Sequence, residues 1–315
     1  MKARSPVAVG VLVLVSALIA SIFIATPAGN SSASGLFYLG FLLVLVLAVW
    51  TVRACAALDG RAIYGMLTAG LFGLWLLYFW QLLVTAFEVP RVLLPAPWFI
   101  AQAMAEQWPV LWTDFVQTVL KSVLTGWLLG CGLGFSVAVA IDRLPFLQRG
   151  LLPIASLTST VPLVGVAPIA VMWFGFDWPS KAAVVVLMTF FPMLVSTLAG
   201  LKAAGRLERE LMYSYAAGYG QTLLALRLPS AMPFIFGALK VNATLALIGA
   251  IVAEFFGSPT AGLGFRISTE AAKMHMPLVW GAIVVAAITG SAAYALLVQL
   301  ERHFAFWHPS VRSQK

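Results

Sequence analysis

The chain has 315 residues, 62% of them hydrophobic and only 10% charged, with a mean hydropathy of +0.98; that is too little polar surface to cover a soluble core of this size. Its net charge of +8 would suit a nucleic-acid binder. Membrane proteins, however, gather Lys and Arg in cytoplasmic loops for topological reasons, so the charge reads as orientation and not as a nucleic-acid surface.

Taken in order, the expected elements are membrane helices. Lys2 and Arg4 precede an uncharged run at 7–25, longer than the roughly 7–15 residues of a signal-peptide core and read as a first span instead. A Ser/Gly-rich connection leads to a second span at 36–52, and Arg53, Asp59 and Arg61 form a polar turn before a third at 64–87. Each is long enough, at about 1.5 Å per residue, to cross or nearly cross hydrocarbon about 30 Å thick. Residues 88–114 turn to Pro, Trp and acidic side chains, with an amphipathic piece at 99–106 expected at the interface. The fourth span, 115–141, carries Gly126, Gly130, Gly132 and Gly134, a face where another helix can approach closely. A fifth, 151–176, is interrupted by Pro153, Pro162 and Pro168; the sixth is 182–201, the seventh 233–256 and the eighth 278–300. Eight spans put both termini on one side. Placing them in the cytoplasm leaves thirteen Lys and Arg inside and four outside (Arg91, Lys181, Arg266, Lys273), with Lys121 and Lys240 within spans, in agreement with the positive-inside rule.

Between the sixth and seventh spans, 202–233 must sit in water, because it carries Lys202, Arg206, Glu208, Arg209, Glu210 and Arg227. Apolar residues recur at helical spacing on both sides of Gly218 and Gly220, which predicts two short helices meeting at a bend there. A charged, bent, amphipathic segment at a membrane surface suits the docking of a partner; the competing reading is an ordinary solvated loop. No G-x-x-x-x-G-K-[ST] phosphate loop occurs, so ATP-powered transport would need hydrolysis by another subunit. Cys55 and Cys131 lack C-x-x-C spacing, and His275, His303 and His308 lack ligand pairing, so neither a disulfide framework nor a metal site is indicated.

Polar residues inside spans are the candidates for a solute pathway. Ser156, Thr158, Ser159 and Thr160 precede Pro162, where a freed carbonyl lets a helix open toward a water-filled cavity; the same hydroxyls serve equally as small packing residues bonded back to their own helix. Asn242 and Thr244 carry the same two readings. Glu254 is the one acidic residue inside an apolar run, facing a cavity or partner, or else snorkelling to the interface. The Gly-rich stretch 257–264, with Gly262 and Gly264, is a gate or an ordinary outer loop. Arg266, Glu270 and Lys273 follow at near-helical spacing, available to a partner or to one another.

From Glu210 to Pro229, ELMYSYAAGYGQTLLALRLP resembles the EAA loop of permease subunits of binding-protein-dependent ABC importers. Aligned on Leu228-Pro229, Glu210 takes the motif's Glu, Leu211 and Met212 replace its two alanines, and Ala216 replaces its glycine. Leu94-Pro95-Ala96-Pro97, Trp173-Phe174-Gly175, Ala253-Glu254 and Gly262-Leu263-Gly264 extend the resemblance over about two thirds of the chain, to permeases for sulfonates, taurine, nitrate and vitamin precursors. The resemblance implies an all-α membrane protein of type I importer architecture: two extra N-terminal helices (1–63), a permease core (64–300) with its coupling loop at 202–231, and a cytoplasmic tail (301–315). It implies a multi-pass protein of the bacterial inner membrane, paired with a second permease copy. The implied partners are two ABC ATPases that carry the ATP and Mg, none being held on this chain, and a periplasmic or lipid-anchored solute-binding protein. In the coupling loop, Arg209 and Glu210 would anchor the ATPase, Tyr213, Tyr215 and Tyr219 would pack against it, Gly218 and Gly220 would make the bend, and Ala216, Arg227 and Pro229 complete the residues assigned to ATPase coupling. Glu254 is placed beside the outer mouth of the pathway. The carboxy-terminal part is most similar to permeases for thiamine pyrimidine precursors or riboflavin. A secondary transporter without an ATPase would show internal repeats, and an intramembrane enzyme would need a nucleophile-base pair or H-E-x-x-H; neither pattern is present.

Overall fold

The computed structural model describes residues 6–25, 35–58, 62–144, 146, 162–257 and 260–306. Among them there are helices and turns but no strand, and the chain falls into two compact units, 1–103 and 104–315. The first unit contains α1 (Pro6–Ala25), α2 (Gly35–Ala56) and α3 (Ala62–Ala86). Large apolar side chains such as Leu18, Leu42 and Met66 lie exposed along these helices, as expected of helices whose solvent is lipid. Ala20, Val44, Ala48 and Trp75 form their core. The two polar aromatic atoms within it are satisfied: Trp75 Nε1 donates to Thr51 Oγ1 at 3.1 Å, and the Tyr78 hydroxyl donates to the Ala20 carbonyl at 2.9 Å. The short α4 (Pro97–Glu106) forms where the amphipathic stretch predicts it.

The second unit contains α5 (Trp108–Arg143), α6 (Leu163–Phe174), α7 (Trp178–Lys202), α8 (Arg206–Ser214), α9 (Tyr219–Phe255), α10 (Leu263–Ala272) and α11 (Met276–Phe304). Two of the long helices contain a π-helical turn, Val116–Val123 in α5 and Leu223–Arg227 in α9. Six helices among the described residues are long and apolar enough to cross a membrane. Of the eight expected spans, the first has a shorter described apolar stretch, Val9–Ala20, and the fifth is represented by the 12-residue α6. Residues 147–161, with Ser156, Thr158, Ser159 and Thr160, lie outside the described residues.

Small residues let α5, α7 and α9 close on one another. A Cβ added at Gly126 would fall 2.6 Å from Val185 Cβ, and one at Gly134 would fall 2.9 Å from Met193 Cβ; Gly130 faces Thr189 in the same row. Across the other interface, Gly200 meets Ala231 and Phe234, and Gly249 meets Met188. Without a hydrophobic force between helices in lipid, such close approach supplies the dispersion contacts and shields the hydrogen bonds that hold them. Asn242 on α9 supplies one of those bonds, its Nδ2 donating to the Thr189 carbonyl at 2.8 Å and approaching Cys131 Sγ at 3.2 Å. Gly132, which shares the glycine run in the sequence, faces open space instead, because it is not on the i, i+4 row of Gly126, Gly130 and Gly134. Replacing Gly126 by Val is therefore expected to cost about 1–3 kcal/mol by overpacking, and Gly132→Val far less. Melting of the purified variants in detergent checks the contrast. Lys240, one of two cations expected inside spans, is paired with Glu301 of α11 at 2.7 Å.

Candidate functional site: an exposed helix and a polar cluster at opposite ends of the spans

At one end of the spans α8 stands between α7 and α9 with no residue buried. Leu207, Leu211, Tyr213 and Tyr215 are exposed by 55% or more. Glu210 pairs with Arg206 at 2.7 Å, one turn away, and Arg209 Nε reaches the Gly205 carbonyl at 3.3 Å. An exposed pair of this kind contributes little stability, and nine residues of isolated helix are marginal in water. What α8 offers is a stripe of large apolar and aromatic side chains bounded by charge.

The bend after α8 differs from expectation. It is not made at Gly218 or Gly220: Gly218 is extended at φ −68° and ψ 168°, and Gly220 is already inside α9. The turn is made by Ala216, at φ +53°. The Ala217 N–H reaches the Met212 carbonyl at 3.0 Å and the Ala216 N–H reaches the Tyr213 carbonyl at 2.9 Å, the pair of bonds that closes a helix through a left-handed residue. Glycine is the usual occupant of that position because a Cβ is strained there. The second short helix is likewise absorbed: residues 219–227 are the first turns of α9, and the Gly218 N–H is capped by Gln221 Oε1 at 3.0 Å. Ala216→Gly is expected to relieve about 1 kcal/mol of strain, seen as slower amide exchange in α8.

Arg227, on the π-helical turn before Pro229, does not project toward solvent. Its guanidinium takes Asp142 in a fork, Nη1 to Oδ2 at 2.7 Å and Nη2 to Oδ1 at 2.6 Å, while Nε donates to the Leu201 carbonyl at 3.0 Å. The Tyr219 hydroxyl adds a fourth bond, to Asp142 Oδ2 at 2.9 Å.

At the other end, three side chains converge on the N-terminus of α10, whose first N–H groups have no partner within the helix. The Gly262 N–H donates to Asp114 Oδ1 at 2.8 Å, the Leu263 N–H to Thr118 Oγ1 at 2.7 Å, and the Gly264 N–H to Glu254 Oε2 at 2.7 Å. Thr118 passes its own proton to Glu254 Oε1 at 2.7 Å. Two carboxylates at a helix N-terminus also oppose its positive end. Glu254 is thus buried, 2% exposed, and does not snorkel. Gly262 adopts φ +135° against the Glu254 carboxyl, and Gly264 lies against the Ile251 carbonyl, so neither position has room for a side chain. Arg266 Nε meets Asp114 Oδ2 at 2.7 Å, and Glu270 gathers Lys273 at 2.8 Å and His275 at 2.9 Å.

The remaining sequence candidates scatter. Thr244 is exposed on α9, Asn242 is packed inside, and exposed Pro162 occupies the N-cap of α6. Gln117 and Asp177, not singled out from sequence, are bonded at 2.6 Å. That bond, with the Trp178 N–H, holds the Asp177 carboxyl below its ordinary range. Burial would push the Glu270 carboxyl up, but the bonds from Lys273 and His275 outweigh it and hold it low. A lowered carboxylate stabilises the fold above its unfolded value of about 4.3, and that stabilisation is lost as pH falls through the folded value. Glu270→Gln should therefore lower the melting temperature at pH 6, with the gap to the unaltered protein closing as pH is brought toward 3.

A family model described as binding-protein-dependent transport system inner membrane component matches residues 130–306. The chain is 31% identical over 244 residues to the formylaminopyrimidine transport permease protein ThiX of Halalkalibacterium halodurans, covering 78% of this chain and 97% of that one. It is 31% identical over 239 residues to the riboflavin transport system permease protein RibX of Chloroflexus aurantiacus, covering 75% and 88%. It is 27% identical over 254 residues to the putative aliphatic sulfonates transport permease protein SsuC of Bacillus subtilis, covering 80% and 91%. With all-helical architecture, membrane-length helices and these matches together, the chain belongs to the family of inner-membrane permease components of binding-protein-dependent ABC importers.

Proposed function

We propose that this chain pairs with a second copy of itself to form the path of an ATP-driven importer that carries a small heteroaromatic solute, of the aminopyrimidine or flavin class, into the cytoplasm. The observation that carries the ATP-driven part is α8, a helix between two spans with no buried residue and an exposed stripe of Leu207, Leu211 and, at its C-cap, Tyr215. An apolar helix face of this kind is completed by lying in a groove of a partner. That partner is the ATPase, which supplies ATP and Mg; two copies of the permease present two such helices. Both termini and α8 lie in the cytoplasm on the charge asymmetry of the sequence, and α10 lies outward, where a solute-binding protein delivers. Binding and release of ATP would alternate the path between outward and inward openings.

The heteroaromatic assignment rests on the two relatives at 31% identity, one transporting formylaminopyrimidine and the other riboflavin by name. Sulfonate or taurine is the second reading, on relatives with those names at 27% and 30% identity. The test is purification of the tagged chain from its native membrane. An ATPase bearing a phosphate loop is expected in equal number, and uptake by the reconstituted complex should be competed by an aminopyrimidine or by riboflavin. Competition by taurine alone would reassign the solute and leave the importer intact.

A further inference from the structure

We propose that Asp142, at the last turn of α5, is the positioning residue through which movement of the docking helix reaches the spans as one body, a role that rests on the importer reading above. Its placement is otherwise costly. A carboxylate at a helix C-terminus faces the negative end of the helix dipole, and this one is nearly buried, its side chain 6% exposed. It is held there by two N–H groups of Arg227 and by the Tyr219 hydroxyl, all from the first turns of α9. Arg227 at the same time donates to the Leu201 carbonyl in the last turn of α7. The ends of α5, α7 and α9 therefore meet at one ion pair, Asp142 with Arg227, beside both roots of α8: Lys202 ends α7, and Tyr219 begins α9.

A pull on α8 enters the chain through those two roots alone. It acts directly on α7 and α9, whereas α5 has no covalent link to α8 at this end. Higher up, the glycine contacts of Gly126, Gly130 and Gly134 with α7, and of Gly200 and Gly249 between α7 and α9, keep the three helices in register. At the base the fork on Asp142 does so. A bidentate guanidinium–carboxylate pair fixes orientation as well as distance. It therefore transmits rotation, which a single contact would not. Its position on the π-helical turn Leu223–Arg227 fits: the widened turn aims Arg227 sideways at α5 and α7. Arg227 lies beside Leu228-Pro229, on which the family motif aligns; Asp142 is 85 residues away, and only the fold brings them together.

The test uses the full complex of permease, ATPase and binding protein in lipid vesicles, reading ATPase content, hydrolysis rate and solute moved per ATP. Asp142→Asn is expected to retain the ATPase and its hydrolysis while solute moved per ATP falls about tenfold, a typical size for a coupling free energy. Asp142→Glu, which keeps the charge, should recover most of the loss, and Tyr219→Phe, which removes one exposed hydroxyl, should lower the ratio about twofold. An unchanged ratio in Asp142→Asn overturns the proposal. So does a collapse of assembly in Asp142→Asn and Asp142→Glu alike with a normal ratio in Tyr219→Phe, which would make the pair structural only. An unaltered complex that moves solute without hydrolysing ATP would remove the importer reading itself, a result distinct from either.

Discussion

Changing Leu211 of α8 and Tyr215 at its C-cap together to aspartate is expected to release the ATPase from the membrane complex while the permease itself still inserts and folds. Both side chains lie on one face and are exposed, at 55% and 78%, and neither belongs to a buried core cluster among the described residues, so their loss has no structural penalty within the subunit. In the docked state each is an anchor of the kind that dominates interfaces, where truncation costs roughly 2 kcal/mol or more. Two such losses amount to about a thousandfold in affinity, before any repulsion from the added charge. Size-exclusion chromatography of the complex checks the release, and circular dichroism of the isolated variant checks the fold. Reversing Glu210 to Lys should do less, because its partner Arg206 is on the same helix and the pair is solvated.

Glu254→Ala is expected to have the largest effect on the fold of any single change at the polar cluster around the N-terminus of α10. The carboxylate accepts from Thr118 Oγ1 and from the Gly264 N–H. Its removal leaves two buried donors without acceptors, at about 1–3 kcal/mol each, and takes an opposing charge from the end of α10. A fall in stability of about 3 kcal/mol or more is expected, with α10 exchanging its amides first. Glu254→Gln keeps the shape and one acceptor and should fall between. A variant melting like the unaltered protein would mean that the Glu254 bonds to Thr118 and to the Gly264 N–H do not hold the start of α10.

Much of this architecture is legible in the sequence because lipid imposes a simple rule. Apolar runs bounded by charge mark the helices, and the row Gly126, Gly130, Gly134 marks a close interface by its spacing of four. The turns were not legible in the same way. Three helices close through left-handed residues that are not glycine, Glu88, Ala216 and Met274, so composition pointed to Gly218 and Gly220 while the strain lay at Ala216. The one available signal was that the family motif's glycine falls on Ala216. Long-range polar contacts were the least visible. Nothing local connects Asp142 with Arg227, Asp114 with Gly262 or Gln117 with Asp177; a carboxylate near a helix end and an amide inside a span each have ordinary local readings. Both π-helical turns lie where such bonds are made, at Gln117 and Thr118 and at Arg227. Their geometry depends on neighbours that a single helix period does not report.

Energy is expected to enter this permease as ATP through α8. The most direct test is solute accumulation in vesicles that contain the purified permease, its ATPase and a loaded binding protein. Uptake is expected to start when ATP and Mg are supplied on the α8 side, to cease when they are withheld, and to disappear in the Leu211 and Tyr215 double variant. Uptake driven by a proton or sodium gradient with no ATP present, unchanged in that variant, would contradict it.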